Sequence, residues 1–531
     1  MSFTDRVVCA LSTDDDDEHT QTKLEQIVQD LKTKQHQADT LDPLTLLAHL
    51  IPSPGAEPLL EVIRERCSAK EVIVACEEWL EGVRVQGGEG NGKNQISLIR
   101  QVSRVVRLLT VITLLPRTRR GRRRRKASDT IRSFLPELGV VIRMVCEGGG
   151  EEGERGNGEL LWGCAELVEG FMDWVDSAEA EESHNILRPF LLSTTTSLSH
   201  VQTSFTLSQR VFGQCFPRLA ASTDASTEAG VMRRFVGLYT RLGGRWSDIQ
   251  DSFVLWAHAV VLNQDLLQYT PSYFPFILAA IQSNSFLDHA LAVLLVFFSP
   301  TSPSHSYPDN LLVPLLTLLP ALASAHPHPF IRLCAFRLLG LVLRATPGVL
   351  QIQVLVDLVA GAGSMRVAAI GLVKDLVFDA LSAPPHESSS ILASLRFIQS
   401  LAPVLFTLPD SGVLDTLSMG DEVEMELTRL GEVLALYYVL EIRDVANRTG
   451  IRDPDNRANI ERTLVAPIRS AVGRCMDSSF VQSTQEGTVS QTSESNAPNV
   501  RVRAALVALQ MGVERIDEMW RARGLGVECK V

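Results

Sequence analysis

Apolar positions recur every three to four residues along most of the chain. Leu24, Ile27, Val28 and Leu31 follow this spacing, and so do Ile99, Val102, Val106 and Leu109. Opposite the second set stand Arg100, Arg104 and Arg107. This is the period of a helix with one face turned to a core. It predicts helices at Pro43–Leu50, Leu59–Trp79, Ile96–Leu115, Thr130–Cys146 and Glu159–Val175, and one or two over Leu187–Phe216. From Val231 the apolar density rises, with helices expected at Met232–Leu242, Trp246–Leu262 and Tyr273–Ser283. Further helices are expected at Asn310–Ala325, Phe330–Arg344, Gly348–Ala360, Met365–Leu381, Ser388–Pro403, Asp421–Val445 and Val500–Arg523. No run of alternating strands occurs, and the β-branched cluster Val354–Val359 sits inside helical spacing. The pattern predicts an all-α protein of short-linked helices.

The breaks divide the chain. Residues 1–22, with the run Asp14–Glu18, read as an acidic disordered tail. Residues 23–222 read as an N-terminal helical-repeat region, interrupted by the exposed polybasic loop 117–126. Residues 230–476 read as a C-terminal HEAT-like region, punctuated by the loop Ser299–Pro308. Residues 477–500 are rich in Ser, Thr, Gln, Glu and Asn and predict a disordered insertion, with 501–524 a terminal helix.

Two segments match at a fixed offset. Arg332, Ala335 and Leu338 recur 34 residues later as Arg366, Ala369 and Leu372. Arg501, Ala504 and Val507 offer a third instance. A small residue lets a neighbouring helix approach, the apolar position fills the next layer, and the arginine near the helix start can reach an adjoining repeat. Helix Met365–Leu381 carries only Arg366, Lys374, Asp375 and Asp379 as charges, so it must be covered on several sides. The period resembles that of HEAT-type repeats and predicts a HEAT/armadillo-like α-solenoid of stacked helix pairs.

Composition narrows the function classes. The hydrophobic fraction of 45% excludes global disorder. Lys and Arg number 50 against 62 Asp and Glu, a net charge of −12, which argues against direct nucleic-acid binding by the whole chain. Nine cysteines without a C-x-x-C pair argue against a disulfide scaffold or a zinc ribbon and fit a reducing compartment. The N-terminus lacks the pattern of a signal peptide, and the apolar stretches Ala290–Phe298 and Leu311–Ala325 are too short to span a membrane. The expected location is the cytoplasm, with the nucleus as a second location.

Candidate chemistry is sparse. Gly87-x-x-x-x-Gly92-Lys93 has the spacing of a phosphate-binding loop, but Asn94 replaces the hydroxyl residue and a helix, not a strand, precedes it. Gly361-x-Gly363 reads as a turn between helices. His326-Pro-His328-Pro lacks further ligands for zinc and reads as a turn before a helix. Cys334, between Leu333 and Ala335, reads as core, whereas Cys9 and Cys529 lie in the termini. No catalytic, cofactor or metal site is expected. Arg117, Arg119, Arg120, Arg122, Arg123, Arg124, Arg125 and Lys126 form a basic run. It reads as a nuclear localisation signal, a patch for anionic surfaces, or a solvated loop. Ser128, just after it, reads as a basophilic phosphosite.

The segments PHPFIRLCAFRLLGLVLRATP and SMRVAAIGLVKDLVFDAL resemble the Yap-binding protein/glomulin family, which also includes the plant aberrant-lateral-root-formation protein. The resemblance is strongest over about 250–400, with weaker support at 500–523. It implies a non-enzymatic helical-repeat protein. Fungal members imply a bZIP stress transcription factor as partner, supported in its peroxide-induced oxidation; a related member associates with kinetochores. Glomulin and the plant protein imply a cullin-RING ubiquitin ligase whose RING subunit is masked. A trafficking or nuclear-transport solenoid is a further reading of the array itself.

Overall fold

The computed structural model describes residues 3–12, 17–33, 41–86, 92–111, 126–147, 154–200, 205–219, 227–247, 253–299, 307, 309–361, 363–383, 390–408, 421–474 and 497–523. Among these residues every regular element is helical. None of the helices is long and apolar enough to cross a membrane. The chain divides into two compact units, Met1–Ser302 and Pro303–Val531. The sequence-based break at 222–230 therefore falls inside the first unit.

In the first unit, α1 (Phe3–Ser12), α2 (Asp17–Thr33), α3 (Pro43–Leu50), α4 (Glu57–Arg66) and α5 (Ala69–Gln86) lead into α6 (Gly92–Leu109). Then come α7 (Ala127–Glu147), α8 (Glu154–Trp174), α9 (Ala180–His200), α10 (Thr206–Cys215) and α11 (Thr227–Arg241). The unit closes with α12 (Phe253–Leu262), α13 (Thr270–Ser283) and α14 (Leu287–Phe297). Alternate helices stack: α3 on α5, α5 on α7 and α7 on α9 form one row, and α2 on α4, α4 on α6 and α6 on α8 form the other. Two rows of helices, each touching the helix two places along, are the geometry of an α-solenoid.

The packing follows the sequence pattern. On α6 the stripe Ile99, Val102, Val106 and Leu109 is buried while Arg100 and Arg107 stay exposed. Residues Leu287–Phe297 of α14 are almost all buried, because α10, α12 and α13 surround them. The N-terminus of α10 has no cap of its own. Asp288, from α14, accepts from the backbone N–H groups of Leu207 (3.0 Å) and Ser208 (2.7 Å) and satisfies two donors there. Residues 1–22, read from sequence as a disordered tail, instead contain α1 and the start of α2, and Val7 is fully buried. Val7 and the apolar pair Ala10–Leu11 give that short helix a face to bury, a signal the neighbouring acidic run obscures.

The second unit holds α15 (Asp309–Ala325), α16 (Pro329–Ala345), α17 (Gly348–Ala360), α18 (Ser364–Ser382) and α19 (Leu395–Leu405). It continues with α20 (Asp421–Arg443), α21 (Pro454–Ile460), a π-helical turn Glu461–Val465, and α22 (Ala497–Ala522). Here α18 packs on α20, α20 on α22, and α17 on both α18 and α19. Of the 477–500 insertion, residues 477–496 lie outside the described residues, and 497–500 belong to α22.

Candidate functional site

The repeated arginines work on the backbone. Arg332, near the start of α16, donates through Nη1 to the carbonyls of His326 (2.7 Å) and Pro327 (2.9 Å). Arg366, near the start of α18, donates through Nε to Val359 O (3.0 Å), in the last turn of α17. Arg104 of α6 does the same for Ile51 O and Ser53 O, each at 2.7 Å, beyond the end of α3. The last carbonyls of a helix have no partner within it and carry its partial negative charge, so a guanidinium there meets both needs. Thus Arg332 and Arg366 each tie a helix to the end of the one before it, and Arg104 ties α6 to the turn after α3.

The small and apolar repeat positions are core. Ala335, Leu338 and Ala369 are fully buried and Leu372 is 5% exposed. A methyl group added at Gly340 of α16 would stand 3.3 Å from Leu372 Cδ2, so the two repeat helices meet there. They are joined again by Arg344 and Asp379, 2.9 Å apart. The third instance does not share this environment: Arg501 and Ala504 are exposed and Val507 is 40% exposed. Its spacing is helical, but the buried face of α22 runs instead through Leu509, Val513, Ile516 and Trp520.

A buried carboxylate organises the end of the second unit. Glu441, in the last turn of α20, has a fully buried side chain. Arg457 of α21 grips both its oxygens at 2.8 Å. Arg523, just past α22, donates to Glu441 Oε2 (2.8 Å) and to its carbonyl (2.9 Å). Arg452 reaches the same carbonyl at 3.0 Å, and Tyr437 donates to Oε1 at 3.1 Å. The hydrogen bonds it donates to Glu441 hold the Arg457 guanidinium above its ordinary pKa. Burial, and then the Glu441 charge, push the Tyr437 hydroxyl up. Nearby, Asp444 folds the chain after α20 by accepting from Arg448 N (2.7 Å) and Thr449 N (2.8 Å).

Beside this cluster lies a groove of about 330 Å³ between α19 and the segment 456–463. Ile398, Ala402, Pro403, Phe406 and Ile460 supply its apolar surface. Gln399, Thr407, Asn456, Asn459 and Thr463 supply the polar surface. No side chain in this lining is ionisable, so the lining supplies no side-chain acid or base. Thr463 Oγ1 stands 3.0 Å from Phe406 O and 2.9 Å from Asn459 O, which joins the two walls.

The other sequence-derived candidates fall as follows. Arg117, Arg119, Arg120 and Arg122–Arg125 lie outside the described residues. Lys126, the last of that run, pairs with Glu182 at 3.3 Å. Ser128 is fully buried in the first turn of α7, so a kinase reaches it only after that turn opens; proximity to the basic run had suggested an exposed site. His328 donates its backbone N–H to His326 Nδ1 (3.1 Å), which forms a turn before α16. Among the described residues no cluster of His, Cys, Asp or Glu could hold a metal ion. Gly92 opens α6, while 87–91 lie outside the described residues. Cys334 is fully buried; burial pushes the Cys67 thiol up to about 11, and those of Cys76 and Cys164 further. Cys529 lies outside the described residues.

Comparison with known families matches residues 264–508 to a family described as an uncharacterised protein family, YAP/Alf4/glomulin. The match covers 245 of the 531 residues, just under half of the chain. The span takes in the repeat helices α16 and α18, Glu441 and the groove. No curated protein matches the chain. Among solved structures, a circular tandem repeat protein with novel repeat topology and enhanced subunit contact surfaces aligns over 98% of this chain and 97% of its own, at 12% identity and a TM-score of 0.25.

Proposed function

We propose that the chain is a non-enzymatic adaptor that holds a bZIP stress-response transcription factor and supports its response to peroxide. The observation that carries this reading is the family match over residues 264–508. The groove beside α19, with no ionisable group in its lining, is in keeping with binding rather than turnover. Because the family description also names glomulin, the second reading is an inhibitor that covers the RING subunit of a cullin-RING ligase. Affinity purification of the full chain with mass spectrometry, with and without peroxide, separates the two. Recovery of a bZIP factor that depends on peroxide supports the first, and a cullin–RING pair supports the second. Recovery of importins or coat proteins alone overturns both.

The reading is of a cytoplasmic protein that enters the nucleus through the basic run Arg117–Lys126. Replacement of Arg122–Arg125 by alanine is expected to shift a fluorescent fusion towards the cytoplasm. An unchanged distribution removes this run as the signal.

A further inference from the structure

The groove between α19 and segment 456–463 has a lining that selects one kind of ligand. No lining side chain is charged, so a charged side chain entering the groove would lose water without an opposite charge in the lining itself. Gln399, Asn456 and Asn459 each carry an amide with both a donor and an acceptor. Asn456 spends one donor on Gly450 O (2.9 Å), and Asn459 accepts from Arg462 at 2.9 Å. The side chain of Gln399 has no hydrogen-bond partner among the described residues.

Both walls also depart from regular helix at the groove. Pro403 lies inside α19 and has no N–H, so the carbonyl of Gln399, four residues earlier, lacks its helical donor. On the other side the chain widens into the π-helical turn Glu461–Val465, a distortion that recurs at functional sites. Thr463 joins the walls through its bond to Phe406 O and sets the gap between them.

A carbonyl in need of an N–H and amides offering both donor and acceptor match the peptide main chain, which presents N–H and C=O at every residue. Along α19 the lining runs from Ile398 to Thr407, roughly 13 Å at helical rise. That length accommodates about four residues of extended chain. From these features we infer that the groove binds a short extended segment of a partner polypeptide through its main-chain groups, with uncharged side chains against Ile398, Phe406 and Ile460. This rests on the adaptor reading in one respect: it takes the ligand to be a protein.

The test uses the full chain and a displayed library of hexapeptides with capped termini, uncharged and charged sequences together. The tightest peptide becomes the probe, and its affinity is measured by fluorescence anisotropy. Uncharged sequences should dominate the selection. N-methylation of the probe's central amides should weaken binding at least tenfold. Gln399→Ala combined with Asn459→Ala should do the same with unchanged melting, since both residues are exposed. Pro403→Ala supplies the missing N–H to the Gln399 carbonyl; it should weaken the probe while the melting temperature holds or rises, an effect no purely structural role produces. A library without a binder, a preference for charged peptides, or a probe indifferent to N-methylation and to these variants overturns the inference. If partners are recovered equally by the wild type and the Gln399→Ala, Asn459→Ala variant, the groove inference fails and the adaptor reading stands. If no partner is recovered but the probe behaves as described, the reverse holds.

Discussion

Glu441→Gln is the sharpest perturbation of this fold. The substitution keeps shape and volume but removes the charge that Arg452, Arg457 and Arg523 converge upon. Breaking a buried ion pair from one side costs about 3–5 kcal/mol, because the charges left behind stay poorly solvated. The three guanidinium side chains are 17%, 18% and 29% exposed, so water recovers part of that loss and the lower figure, about 3 kcal/mol, applies. For a unit the size of 303–531 each kcal/mol lowers the melting temperature by roughly 2–4 °C. The expected drop is therefore about 6–12 °C, followed by far-ultraviolet circular dichroism of the full chain. Arg523→Met in the Glu441→Gln background removes one of the stranded charges, so the double variant should be less damaged than the sum of the singles by at least about 0.5 kcal/mol. A drop under about 2 °C, or strictly additive singles, would refute the claim that this carboxylate holds α20, α21 and α22 together.

Ala369→Asp should put an unpaired charge into the fully buried face of α18 and unfold the second unit in urea melts, whereas Leu372→Ala should cost roughly 2–5 kcal/mol. Asp379→Ala loses only the half-exposed pair with Arg344 and should cost at most about 1 kcal/mol; equal effects of all three substitutions would sink the assignment of Ala369 to the core. His289 is buried, with both ring nitrogens unpartnered and its ring 5.2 Å from that of His258; burial lowers its pKa from 6.5 to about 4. In this window the unfolded chain binds the proton that the folded chain refuses, so stability contributed by neutral His289 should be full above pH 6.5 and fall as pH drops towards 4, by roughly 3 kcal/mol in all. His289→Phe should flatten that part of the stability–pH curve, and an unchanged slope would count against the burial argument.

Much of the helical order was readable because a helix with one buried face must repeat every three to four residues. The stripe on α6 and the expected helix Asn310–Ala325, observed as Asp309–Ala325, show how directly period maps onto element. Ala335, Leu338, Ala369 and Leu372, which the 34-residue spacing picks out, are all buried. The arginines were only half legible. Their place at the helix start was visible, but the sequence could not show that their target is a carbonyl at the end of the preceding helix. The third instance failed because spacing alone does not say which face of α22 is turned inward. Glu441 was invisible for a different reason. Its partner Arg523 is 82 residues away, and no local pattern links a carboxylate to a cation at that distance. The groove depends on Pro403 and the π turn facing each other, a relation that exists only after folding.

The way α22 is held has a consequence for how the chain tolerates change. Its grip on the rest of the second unit includes Arg523 on Glu441, Arg469 on Asp517 at 2.6 Å, and Trp520 edge-on to Tyr437 with ring centres 6.3 Å apart. Gly512 adds a close approach, for a methyl group there would stand 3.2 Å from Leu434. None of these contacts requires the peptide link between 474 and 497 to be continuous. A doubling of that connection would cost only about 0.6 kcal/mol in closure entropy. Severing it would turn an intramolecular element into a separable one: residues 497–531 supplied as a peptide would be a ligand for residues 303–474, and the protein would become its own two-part assembly.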